Sequence, residues 1–258
     1  MGFLFEPYRK GHCCLCGGNA PLTGEHKVKA SAIRAMFGKE KMVIGQFGGA
    51  EGYRNAQGPK SKALHHAAGL CAECNGNRTQ PADREFDLFH NRTLELYAAG
   101  AEPITAFEDE RYGDGSKPYL DVFRYFAKLL CCHMGDVRGP RPISLSAFAI
   151  GDLVLNRVFL AIDGDPNYRD WAAVSGDHAY AAHGGLNLSM DRETKLPSRI
   201  QSYVTLGPIR YRYWMEFASI EVAALACFHK AFWQSARAAM QDYINNPLTD
   251  EQLDRRGL

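Results

Sequence analysis

Leu70-Cys71-Ala72-Glu73-Cys74-Asn75-Gly76-Asn77-Arg78 is a Cys-x-x-Cys turn that runs straight into an asparagine. Two thiolates at this spacing grip one side of a tetrahedral ion, so the turn calls for a second pair. The chain supplies one at Cys13-x-x-Cys16, within His12-Cys-Cys-Leu-Cys-Gly-Gly18, where the glycines allow a tight turn. Cys14 and Cys16 have only one residue between them, too few for that geometry. A loop of 54 residues separates the pairs, far more than a simple zinc ribbon needs and long enough to carry an active site. Four cysteines fill a tetrahedron, so the zinc they imply is structural and leaves no position for water or substrate.

The bulk properties fit a reduced, soluble protein. Hydrophobic residues make up 46% and charged residues 23% of 258 positions, the balance of a globular chain of one large or two small domains. No apolar run reaches the length of a membrane span. Met1–Tyr8 has neither the basic region nor the apolar run of a signal peptide, and Glu6 stands where a myristoylation motif needs Ser or Thr. Cytoplasmic residence, with no membrane partner, is expected. Cysteine pairs in that compartment bind metal more often than they form disulfides. Cys14, Cys131, Cys132 and Cys227 are expected to be small core residues. Residues 1–100 carry 13 Lys/Arg against 9 Asp/Glu, and the basic excess is densest over 24–62, where Lys27, Lys29, Arg34, Lys39, Lys41, Arg54, Lys60 and Lys62 meet only Glu25, Glu40 and Glu51. A polyanion would be drawn to this part; a plain solvated face explains the charge equally well.

The pattern divides the chain near residue 100. In 1–100, residues 25–37 read as a short strand turning helical from about Ser31, 43–60 as a Gly-rich flexible loop, and 83–97 as a helix preceded by Pro81. In 101–258, residues 119–133 read as a helix that Gly139-Pro-Arg-Pro142 ends. Residues 145–163 and 200–218 alternate like strands, 221–245 reads as one long helix stopped by Asn245-Asn246-Pro247, and the polar tail from 249 should fray. The fold class expected is α+β.

Between the pairs lies Glu25-His26. Phosphodiester hydrolysis needs a base for water and a cation against the developing charge. His26 suits the first task. The oxygens of Glu25 and Asn75 suit a hard ion such as Mg²⁺ or Mn²⁺, which keeps waters and so needs few protein ligands. Taken singly, Asn75 could be a helix cap and Glu25-His26 a surface pair; their company with the cysteine turns is the signal.

Glu25-His26-Lys-Val-Lys-Ala-Ser31 and Leu70-Cys-Ala-Glu-Cys-Asn-Gly-Asn-Arg-Thr-Gln-Pro-Ala-Asp83 resemble the HNH, or ββα-metal, endonuclease superfamily, in its endonuclease VII-like zinc-knuckle variant. The resemblance covers roughly residues 12–97. It implies a zinc-stabilised, treble-clef-like ββα-metal domain at 1–100, with a mixed α+β domain at 101–258 for specificity, oligomerisation or regulation. It also implies His26 as general base, Glu25 and Asn75 holding the catalytic divalent cation, and Cys13, Cys16, Cys71 and Cys74 holding zinc. Two departures stand out: Glu25 is one methylene longer than the Asp common in the family, and His66 occupies the place of the family's central Asn, where it would steady the hairpin and the base.

Arg78, three residues after Asn75, could reach a phosphate or the leaving group; a surface salt bridge to Asp83 accounts for it as well. His65 and His66 could contact phosphate or simply face solvent, and His90 and His12 read as surface histidines. Cys131-Cys132-His133 is better explained as a packed helix than as a ligand set, because neighbours on a helix point apart. Arg210 and Arg212 should point outward and Tyr211 and Tyr213 inward, as on a half-buried strand, rather than forming a nucleic-acid face with Trp214. The expected partner is DNA, with RNA as an alternative substrate for the same site, and the second block is expected to build a homodimer or to take a partner protein. The competing function is a non-catalytic zinc module that binds nucleic acid or protein.

Overall fold

The computed structural model describes residues 4–38, 42–45, 53–56, 61–175, 180–191, 193–194 and 196–255. A two-residue strand, β1 (Phe5–Glu6), precedes the first cysteine turn. Then come β2 (Leu22–His26), α1 (Ala30–Phe37), β3 (Met42–Gly45), β4 (Tyr53–Ala56) and β5 (His65–Cys71). A π-helical turn, Glu73–Arg78, leads into α2 (Gln80–Ala98), which starts with Pro81 in its first turn. The strand end and helix expected over 25–37 and the helix expected over 83–97 are therefore present. The segment read as a loop over 43–60 instead holds the β3–β4 hairpin; Lys39, Lys41 and Lys60 lie outside the described residues.

The second block opens with α3 (Lys117–Asp136), capped by the Ser116 side chain, which accepts from the backbone N–H of Tyr119. Next are β6 (Arg141–Pro142), which pairs with β1, and α4 (Ile143–Ala149). The first part of the stretch read as strand over 145–163 is thus helical, because Leu145, Phe148 and Ala149 pack at helical spacing into the core. Strand begins only at β7 (Val158–Gly164). After α5 (Pro166–Ser175) come β8 (Ala181–His183), β9 (Asn187–Met190), β10 (Pro197–Leu206) and β11 (Ile209–Glu216). These form an antiparallel sheet in the order β7-β11-β10-β8, with β9 also paired to β10. The chain ends with α6 (Ser219–Phe228), α7 (Lys230–Asn245) and α8 (Asp250–Arg255). The single long helix expected over 221–245 is broken at His229, whose φ of −126° and ψ of 51° are not helical. Residues 250–255 are helical rather than frayed. No helix among the described residues is long and apolar enough to cross a membrane.

α3 is the spine of this α+β chain. It is buried along nearly its whole length, from Asp121 to Gly135. One side packs on α2, another on β5, and it also meets β7 and β10. Gly135 allows the approach to β5: a Cβ placed there would fall 2.6 Å from the Cβ of Ala68. One hydrophobic core therefore runs from Cys13, Leu70 and Cys74 through Phe86, Phe126 and Leu130 to Ile200, Tyr211 and Met215. The boundary expected near residue 100 falls between elements packed into that common core.

Candidate metal centre and hydrolytic site

The first cysteine turn closes through Gly17 N–H to Cys13 O at 2.9 Å, with Gly17 at φ +73°, a conformation that favours glycine. Arg141 braces the turn from β6 by donating to the Leu15 carbonyl at 2.6 Å while pairing with Glu6. Cys71 ends β5 and Cys74 lies in the π-helical turn, its N–H donating to Cys71 Sγ at 3.5 Å; Gly18 N–H likewise donates to Cys16 Sγ at 3.4 Å. The sulfurs of Cys13, Cys16, Cys71 and Cys74 all lie within 4.8 Å of one another, and Cys16 and Cys71 are 3.7 Å apart. A tetrahedron with metal–sulfur bonds of about 2.3 Å has edges of roughly 3.8 Å, so the four cysteines are close enough to hold a metal such as zinc. The hydrogen bond from Cys74 pulls the Cys13 thiol down to about 4, and the same contact pushes Cys74 up. The cluster is thus arranged to carry at least one thiolate, the form that ligates.

The register of the β2–β5 pair builds the rest of the site. Gly24 faces Gly69, but a shift of two residues then sets His26 opposite His65. Their rings lie 4.0 Å apart at 44°. Gly24 makes room for this: a Cβ there would sit 3.0 Å from Cδ2 of His65. His65 is anchored through Nδ1, 3.0 Å from the Ser61 carbonyl. Asn75 turns its Nδ2 to β2, donating to Thr23 Oγ1 at 2.9 Å and to the Gly24 carbonyl at 3.3 Å, which directs Oδ1 the other way.

Glu25 has a partner that spacing could not reveal. Lys128, fully buried on α3, places its Nζ 2.9 Å from Glu25 Oε1 and 2.6 Å from Asp83 Oδ1. Burial alone would push this lysine toward neutrality; the two carboxylates, Glu25 first, outweigh it and keep the ammonium charged. Lys29 donates to the Asp83 carbonyl and pairs with Asp87 at 3.1 Å, so α2 is tied to the chain just after His26.

Of the residues expected at the site, one lies elsewhere and another has a different partner. His66 is on the other face of β5, its Nδ1 2.7 Å from Asp136 Oδ2, because neighbouring strand residues point to opposite faces. The ring beside His26 belongs to His65. Arg78 pairs with Asp152, beyond α4, rather than with Asp83. His90 is buried rather than on the surface, with Nδ1 2.8 Å from Tyr211 Oη. Tyr211 and Tyr213 point inward as expected, but Arg210 is also buried, held by Asp163 at 3.0 Å. Lys128 and the carboxylate of Asp83 are the groups around the site that sequence reasoning missed, and neither carries a local signal, whereas His65 stands out beside His66 as a residue that could contact phosphate or face solvent.

Comparison with protein-family models, with curated proteins and with solved structures finds no match.

Proposed function

We propose that this chain is a metal-dependent endonuclease of the HNH type, hydrolysing DNA phosphodiester bonds on a zinc-stabilised ββα-metal frame. The observation that carries the reading is the meeting of β2 with the π-helical turn: Asn75 bonds to Thr23 and Gly24, immediately before Glu25-His26 and beside the four-cysteine cluster. Four thiolates and no open position suit a structural zinc. His26 is the base that takes a proton from the attacking water, and the anchored His65 ring packed on it limits its rotation. Glu25 Oε2 and Asn75 Oδ1 are the hard oxygens offered to Mg²⁺ or Mn²⁺. When bound, that cation would supply charge neutralisation at the phosphate and at the leaving oxygen. Lys128 holds Glu25 through Oε1 and so orients its other oxygen for this task. Residues 101–258 select the substrate or dock a second copy, and Phe228, Tyr243 and Ile244 give α6 and α7 an exposed apolar surface for the latter.

Plasmid cleavage with Mg²⁺ or Mn²⁺ tests the proposal. His26→Ala should lower the rate at least about 100-fold, the lower end of what a positioned base contributes. A variant that keeps its fold and cuts like the parent would falsify the mechanism. A single-stranded RNA substrate run in parallel decides between the two backbones. The grip of Lys128 on Glu25 is the observation favouring the second reading, a zinc module that binds nucleic acid or protein without catalysis. Retention of DNA in a gel shift, with no cleavage under any divalent ion, would establish that reading.

A further inference from the structure

His133 stands next to Cys131 and Cys132 in a triplet whose cysteines turn into the core, yet it does not stand alone. Ring nitrogens of His66 and His133 and a carboxylate oxygen of Asp136 all lie within 4.8 Å of one another, on the face of β5 and α3 remote from His26. His133 and Asp136 are one helical turn apart on α3, so they share a face. The His66 side chain is fully out of solvent, and its ring meets that of His133 edge-on at 4.7 Å.

Each ring has one nitrogen fixed by oxygen. His66 Nδ1 donates to Asp136 Oδ2, and the other oxygen of Asp136 accepts from the backbone N–H of Ala68 at 2.8 Å. His133 Nε2 is 3.1 Å from Ser202 Oγ and 3.3 Å from Tyr213 Oη. Nε2 of His66 is buried and has no hydrogen-bond partner. A buried lone pair left without a partner is costly, whereas an imidazole whose other nitrogen is held by a carboxylate is the usual presentation of a metal ligand. Lys27 brings a positive charge toward the cluster and Asp136 a negative one.

We infer that His66 and His133, oriented by Asp136, form a second site for a divalent first-row transition ion, separate from the cysteine cluster. The two nitrogens that the protein offers are imidazole nitrogens, which suit zinc, iron, nickel or copper and differ from the thiolates of the first site. The ion joins β5 and α3, two elements distant in sequence. This inference does not depend on nuclease activity.

Cobalt is the probe. The full chain, dialysed against Co²⁺ and freed of excess, should hold two ions: one with sulfur-to-cobalt charge-transfer bands, the other without them. His133→Gln and His66→Gln should each bring the count to one and leave the thiolate bands intact. Asp136→Asn should weaken the second ion by about 10- to 100-fold, the usual effect of removing an orienting partner. A parent protein that takes up a single cobalt, or a second ion that persists in His133→Gln, overturns the inference. Should the variants fail to fold, an organomercurial thiol reagent applied to the parent decides: the second cobalt should stay bound as the first is released, and loss of both refutes the site.

Discussion

Lys128 lies out of solvent between Glu25 and Asp83, with Tyr125 below it at 5.3 Å from the ammonium to the ring centre. Removing a buried charge that neutralises two others leaves both without compensation, a loss of about 3–5 kcal/mol. Lys128→Met, nearly matched in length, should therefore unfold at markedly lower urea than the parent. The same variant reports on Glu25. If Glu25 serves a cation, a vacated ammonium position makes the carboxylates a stronger site. Mg²⁺ or Mn²⁺ should then restore part of the lost stability, by an amount that grows with the logarithm of ion concentration. The parent should show a smaller response. Urea titrations of both proteins with and without the ion give the answer, and a variant that ignores the ion argues against Glu25 as a ligand.

At the scale of elements, α2, α3 and β5 decide how the site is held. Gly135 lets α3 lie against β5, and Ala68 blocks any larger side chain there. Gly135→Ala should cost about 1–3 kcal/mol as an overpacked contact, read as a lower melting temperature. α2 is joined to β11 by His90, Thr93 and Tyr211, with Thr93 Oγ1 2.7 Å from Tyr211 Oη. Burial pushes His90 down to about 4. The unfolded chain takes up its proton near pH 6.5, while the native one refuses it until about pH 4, so the contribution is complete above about 6.5 and is lost as pH falls through that window. The loss reaches about 3 kcal/mol, and His90→Leu should flatten the acid limb of the stability curve by that amount. What could be read from the sequence follows from the range of the interactions. Cys13, Cys16, Cys71 and Cys74 announce themselves by spacing, and α2 and α3 by their apolar stripes. The break at His229 carries no Gly or Pro, so periodicity alone runs α6 into α7. Lys128 with Glu25 and His66 with Asp136 are pairs created by tertiary packing, and a single sequence offers no local pattern from which to find them.

For the molecule as a whole, the question is whether the cysteine frame and the β10–β11 sheet unfold together. Cys13, Cys71 and Cys74 belong to the same continuous core as Val204, Tyr211 and Met215, with α3 between them. A shared core predicts one cooperative transition, whereas two separable domains would predict two. The chain carries its own reporters. All three tryptophans, Trp171, Trp214 and Trp233, lie beyond residue 100, so their fluorescence follows only the second block. Cobalt bound to the cysteines gives charge-transfer bands that follow only the first. In the cobalt-loaded protein, fluorescence and those bands should change at the same urea concentration. Cys74→Ser, which removes one thiolate from the cluster and with it binding energy that is also folding energy, should move the tryptophan transition to lower urea although no tryptophan lies in the block that carries the metal. Loss of the cobalt bands while the fluorescence transition stays in place would show that the second block stands without the first, and that α3 belongs energetically to the sheet rather than to the site.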